Sequence, residues 1–178
     1  MPSPVGHALA AVAVGCLVQR SMTGGRLRGR EVLLFAALGM APDLDLLVGM
    51  HSGPTHGIGV AVLAASLAWL PLDLVRTSPE RRRLAVASAL AYASHILLDW
   101  LGTDSSPPIG IMALWPFSQA YFESSLHVFP AVSRRISQPE LFWSQNLRAV
   151  LWELVVLVPI VAVVIVLHRR GRSRAVHQ

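Results

Sequence analysis

The sequence predicts an all-α integral membrane bundle of about five apolar helices, and three observations predict it. Just over half of the 178 residues are hydrophobic and only 14% are charged, against roughly a quarter in an ordinary soluble domain. Five long apolar stretches punctuate the chain. Arginines gather in alternate connections between those stretches, the distribution that orients helices across a bilayer.

The first stretch covers 5–18, with Ser3 placed to cap it and Pro4 at the first helical position, where a missing N–H costs nothing. The second covers 32–50 and is interrupted at Met40-Ala41-Pro42. Both are short before a break, so they are tilted, broken or packed inside the bundle unless they span outright. The third covers 58–75 and the fourth 84–101, the latter carrying His95 and Asp99. The fifth, 149–167, is a Val/Leu/Ile run interrupted only by Glu153 and Pro159, close to the ~20 residues a span needs. The chain therefore reads as a helical membrane domain over 1–120, an outer loop over 121–146, and a C-terminal transmembrane helix with a basic tail over 147–178. The N-terminus has no basic n-region, so no cleaved signal peptide is expected. The lone Cys16, inside an apolar stretch, reads as a small hydrophobe.

All fifteen basic residues are Arg. They cluster after stretches one, three and five, while the loops after two and four hold only Arg134, Arg135 and the boundary residue Arg148. The positive-inside rule then puts the Arg-rich connections and the C-terminus in the cytoplasm. The N-terminus and the loops 51–57 and 102–146 fall on the outer side of a multi-pass inner-membrane protein with five crossings. Arginines confined to such clusters, with no aromatic residues interleaved, argue against nucleic acid as a partner. The lipid bilayer is the expected partner.

On that topology four separate stretches bring His or Asp to the same face. His7 lies one turn into the first helix, Asp43 and Asp45 near the outer end of the second, His51 and His56 in the loop that follows, and His95 and Asp99 in the outer half of the fourth. Asp104 follows in the next loop. The topology came from arginines alone, so the agreement is independent support. His95 and Asp99, four apart, share one helix face, and ionisable groups inside an apolar span are costly and usually functional. If Pro42 keeps the chain extended, Asp43 and Asp45 also point to one side; in a helix they diverge. Imidazole and carboxylate without thiolate suit zinc, manganese or iron. His7, Asp43, Asp45, His56, His95 and Asp99 are the expected metal ligands, and His51 and Asp104 the candidates for general acid or base. Glu123 and His127, four apart, read as a solvated helix pair in preference to a second site. Arg134 and Arg135 read as loop surface, with an anionic substrate as the alternative. Trp115, Trp143 and Trp152 fit an interfacial belt. HExxH, GxSxG and P-loop signatures are absent.

The early His7, Pro42-Asp43-Leu44-Asp45, the loop from His51 to His56-Gly57, and His95-Ile96-Leu97-Leu98-Asp99-Trp100 together resemble the YdjM-type family of inner-membrane metal-dependent hydrolases. The resemblance covers roughly residues 1–120 and includes Gly102-Thr103-Asp104 and Leu114-Trp115-Pro116-Phe117. That family is similar, more remotely, to the zinc-dependent phospholipase C and P1 nuclease group, all-helical enzymes whose ligands include an HxxxD helix. The resemblance implies hydrolysis of a phosphoester, such as a phospholipid, by a metal-activated water. The group's second HxxxE-type helix is missing here, with only the reversed Glu123–His127 pair in its place, so one or two ions are expected instead of three. The rival expectation is a non-catalytic metal-binding scaffold or transporter. A transporter is disfavoured because the inner halves of the stretches are nearly all apolar.

Overall fold

A computed structural model describes residues 1–23, 29–69 and 79–175. Their helices are α1 (Pro4–Thr23), α2 (Gly29–Met40), α3 (Ile58–Trp69), α4 (Pro79–Leu101) and α5 (Pro139–Ala175), with 3-10 helices at Ala41–Val48 and Pro54–His56. Among the described residues no strand forms beyond isolated bridges at Gly102–Phe129 and Ile111–Phe122. The all-α class expected from the apolar periodicity is what the chain adopts.

Helix α1 is the central element and packs against α2, α4 and α5. Small residues make this possible. Ala10, Ala11 and Ala13 are buried, and a methyl group added at Gly15 lands 2.4 Å from the Phe35 ring. Ala11, Cys16, Phe35, Ala87, Ala91 and Val164 form one core cluster, so α1, α2, α4 and α5 share a single tightly approached interior. Cys16 is buried and free, as its apolar setting predicts.

Five crossings are not supported among the described residues. Helix α2 has 12 residues, a rise of about 18 Å against a hydrocarbon core of about 30 Å, and α3 is described as far as Trp69. Two helices among the described residues are long and apolar enough to cross, within Arg82–Leu101 and Pro139–Val166; the apolar part of α1, Pro4–Gln19, is shorter. The second stretch fails as a span because its helix stops at Met40 and winds into the 3-10 helix, with Pro42 in the opening positions where its missing N–H is harmless. Gly49 then ends that turn in the left-handed conformation, φ 73°, which favours glycine. The remainder of the third stretch, along with Arg26, Arg28, Arg76 and His177, lies outside the described residues.

The long outer loop is ordered by backbone pairing across the helix ends. Val128 N–H donates to the Leu101 carbonyl (2.7 Å), Thr103 N–H to Phe129 (2.8 Å) and Ile111 and Phe122 exchange a pair (2.9 Å each). Ile58 and Gly59 donate to Ala113 and Trp115, and Met112 donates to Ser52. These bonds pin the 51–57 loop against the bundle and so set the position of His56. Trp143 is exposed on α5 and Trp152 donates its indole N–H to the Val128 carbonyl. Trp115 is half-buried, lying over Gly57 and Gly59.

Candidate metal centre

The first turn of α1 is built to deliver His7. Ser3 caps the helix, its Oγ accepting from Gly6 N–H at 3.2 Å, as the Ser-Pro start predicts. His7 N–H donates to the Ser3 carbonyl. The Ser3 hydroxyl and backbone N–H both donate to the carboxylate of Glu153 on α5, the latter at 2.6 Å. Glu153 is fully buried. Its role was missed at the sequence level, although an ionisable residue inside a spanning run was the available signal.

His95 and Asp99 project from one face of α4, Nε2 to Oδ2 3.0 Å apart. His7 stacks on the His95 ring with centroids 3.7 Å apart and brings Nε2 to 3.2 Å from Asp99 Oδ1. His56 brings its own Nε2 to 3.2 Å from Asp99 Oδ2. Asp43 Oδ1 lies 3.8 Å from both the His56 and His95 Nε2 atoms. Asp43 and Asp45 stand on a 3-10 helix rather than an extended strand, so they diverge; they converge again only because they approach His56 from its two sides. Asp45 Oδ2 lies 3.4 Å from Nδ1 of His56 and accepts from Thr55 Oγ1 (3.0 Å) and Gly53 N–H (3.3 Å). It stands behind His56, oriented towards Nδ1, and not beside the other carboxylates.

His95 is oriented by a different device. Its Nδ1 lies 2.7 Å from the Gly39 carbonyl, and a carbonyl can only accept, so Nδ1 carries the proton and Nε2 keeps its lone pair for the cluster. Gly39 must be glycine for this. A methyl group there meets Ala11 Cβ at 2.5 Å and the His7 carbonyl at 2.6 Å, both on α1. Gly39→Val is expected to force α1 and α2 apart and take the carbonyl away from His95. Loss of such an outer partner costs about 10–100-fold in metal affinity. A competition titration against a chelator checks this, and unchanged affinity overturns the account of His95.

Asp43, His56, His95 and Asp99 each offer one ligand atom, all within 4.8 Å of one another. The individual approaches of 3.0–3.8 Å bracket the roughly 3.4 Å expected between donors of a tetrahedron with bonds of ~2.1 Å. Both His7 nitrogens, the Nε2 atoms of His56 and His95, and both Asp99 oxygens are buried without a hydrogen bond of acceptable geometry. Buried polar atoms in that state are costly, and a shared divalent cation resolves those of His56, His95 and Asp99 together. The residues present therefore fit a metal ion. The local field agrees: burial lowers the His56 pKa, yet the carboxylates of Asp43, Asp45 and Asp99 beside it push it up to about 11.

His51 and Asp104 lie apart from this group and pair with each other, His51 Nε2 being 3.4 Å from Asp104. Arg134 Nη1 donates to His51 Nδ1 at 2.9 Å, so Nε2 carries the proton that faces Asp104. Burial raises the Asp104 pKa, but His51 and the N–H groups of Ser106 and Gly110 bring it below the usual carboxylate value. Glu123 and His127 sit on a loop, not a helix, and stay 3.8 Å apart; Glu123 is engaged instead by the Asp104 N–H.

The profile of the YdjM inner membrane protein family matches residues 1–171 of this chain. The chain belongs to the YdjM inner membrane protein family. The match extends well past the stretch whose motifs carried the resemblance, taking in the outer loop and most of α5. In this YdjM-family protein, the loop residues that order the 51–57 segment and the α5 residue that anchors α1 thus lie inside the family region along with the His and Asp cluster. Among curated proteins and solved structures, no significant match is found.

Proposed function

We propose that this YdjM-family protein is a membrane-embedded, metal-dependent hydrolase of a phosphoester or phospholipid-like substrate. The observation that carries the reading is the convergence of three imidazole Nε2 atoms on the buried Asp99 carboxylate, with no protein hydrogen bonds to satisfy them. Asp43, His56, His95 and Asp99 hold a single ion in this reading, with His7 stacked against His95 as a further donor. Asp45 positions His56 through Nδ1. A mixed imidazole–carboxylate set suits zinc. When bound, the metal supplies a water acidic enough to attack near neutral pH. His51 and Asp104 are the candidates for general acid or base in this reading, His51 Nδ1 becoming available to take a proton only when Arg134 moves off it.

The arginine distribution supports a multi-pass arrangement with the C-terminus in the cytoplasm and the centre near the outer face of the inner membrane. The test is metal content of the detergent-purified protein beside His95→Ala, followed by a phosphodiesterase assay on the same samples. Stoichiometric zinc in the wild type, lost together with hydrolysis in the variant, is the expected result. Metal without turnover of any phosphoester supports the scaffold instead. No metal after reconstitution with zinc, manganese and iron overturns the proposal.

A further inference from the structure

Beside the metal centre lies a cavity of about 680 Å³, walled by the first turn of α1, the 41–48 turn, the 132–136 segment and the start of α5. Its size is that of a site for a small organic ligand. Val5, Leu44, Leu47, Phe142 and Val150 make most of it apolar. Among the metal-centre residues only Asp43 reaches its wall. Asp43 is also the one whose side chain is appreciably open, 21% exposed against at most 1% for His56, His95 and Asp99. The cavity is therefore the approach to the ligand cluster.

One cationic side chain lines the same cavity, Arg134. Among the described residues no carboxylate lies within ion-pair distance of it; its contacts are His51 Nδ1 at 2.9 Å and the Met1 sulfur at 3.9 Å. The relay from Asp104 through His51 aims the guanidinium while leaving most of its five N–H donors free. An unpaired arginine with spare planar donors suits a phosphate or carboxylate. Around the mouth the apolar side chains are turned outward: Leu44 is 61% exposed, Leu47 82% and Ile136 78%. In an inner membrane protein such a rim faces lipid.

We propose that the cavity takes the hydrocarbon chain of a single anionic amphiphile, drawn from the bilayer, whose phosphate is held by Arg134 with its ester directed towards Asp43. This rests on the hydrolase reading and names the substrate class for that site. Charge complementarity selects the head, and the apolar walls select the tail, each buried methylene being worth about fourfold in affinity.

The test uses the full-length protein in zwitterionic nanodiscs and a C10 alkyl phosphate bearing a terminal diazirine, with crosslinks mapped by mass spectrometry. Labelling is expected at the Leu44–Leu47 turn and around Val150. It should fall about tenfold in Arg134→Gln and be blocked in Val150→Trp, while the metal content of both variants stays at the wild-type level. A C6 probe should label far more weakly, and the matching neutral alcohol should label only lipid-facing positions. Full displacement by millimolar inorganic phosphate, with no dependence on chain length, would show a free-phosphate site and overturn the amphiphile. Labelling indifferent to Arg134 would reduce the cavity to ordinary lipid contact and also overturn it. Metal content separates the two readings: a protein that binds the probe but no metal fails as a hydrolase and keeps the cavity assignment.

Discussion

Asp99→Asn is expected to abolish stoichiometric metal binding and, with it, the stability that bound metal confers. The carboxylate is buried on α4 with His7, His56 and His95 at 3.0–3.2 Å, and neither oxygen has a proper hydrogen bond. In the metal-free protein His56, its pKa pushed up to about 11, is the cation that partners this charge, and asparagine removes the charge while keeping the shape, so some stability is lost even without metal. With metal present the loss is larger. The wild type gains about 4 kcal/mol at a free metal concentration a thousand times its Kd, and the variant gains nothing. Losing a direct ligand should exceed the roughly 10–100-fold affinity loss seen for outer partners. Were the cluster a structural ion-pair network only, removing one partner would cost about 3–5 kcal/mol in the absence of metal. Denaturant unfolding of both proteins with and without zinc decides between the two, and a loss that zinc does not change sinks the metal centre.

Glu153→Ala is expected to destabilise the bundle by about 3 kcal/mol and to weaken metal binding through His7. Glu153 is fully buried in α5 and accepts from both the Ser3 N–H and the Ser3 hydroxyl. Hydrogen bonds to a charged acceptor are worth about 1.5–3 kcal/mol each, and orphaning buried donors adds to the loss. The carboxylate also lies against Gly6, whose added methyl group meets Oε2 at 2.6 Å, so α1 and α5 touch closely where His7 begins its turn. Glu153→Gln keeps an oxygen of the same shape and should recover a substantial part of the stability. The measurement is unfolding of both variants in mixed micelles together with a zinc competition titration. Equal loss in Gln and Ala would mean that charge, and not acceptor geometry, carries the contact; no loss in either would remove the anchor.

Both expectations turn on residues of unequal legibility. His95 and Asp99 were readable because i and i+4 share a helix face whatever the helix packs against. His7, Asp43 and His56 were readable only as members of a set, each too ordinary alone. Asp45 was grouped with the ligands as a residue that bridges or orients one of them, and it stands behind His56 at Nδ1. The reason is the 3-10 helix at Ala41–Val48, which turns alternate residues apart where an extended chain would align them. His51 and Asp104 emerged as a pair joined to Arg134, a link that no spacing in the sequence announces.

The sequence by itself determined the all-α class, the long apolar stretches at 84–101 and 149–167, and the donor types available to a metal. Those properties follow from composition and from periodicity along single segments, which act locally. Only the tertiary structure decided which donors meet, where the second apolar stretch breaks, and what orients each ring. Those outcomes depend on how closely helices approach. The contacts of Gly39 with Ala11, Gly15 with Phe35 and Gly6 with Glu153 set that approach, and a glycine in sequence does not name the side chain that will fill the space it leaves.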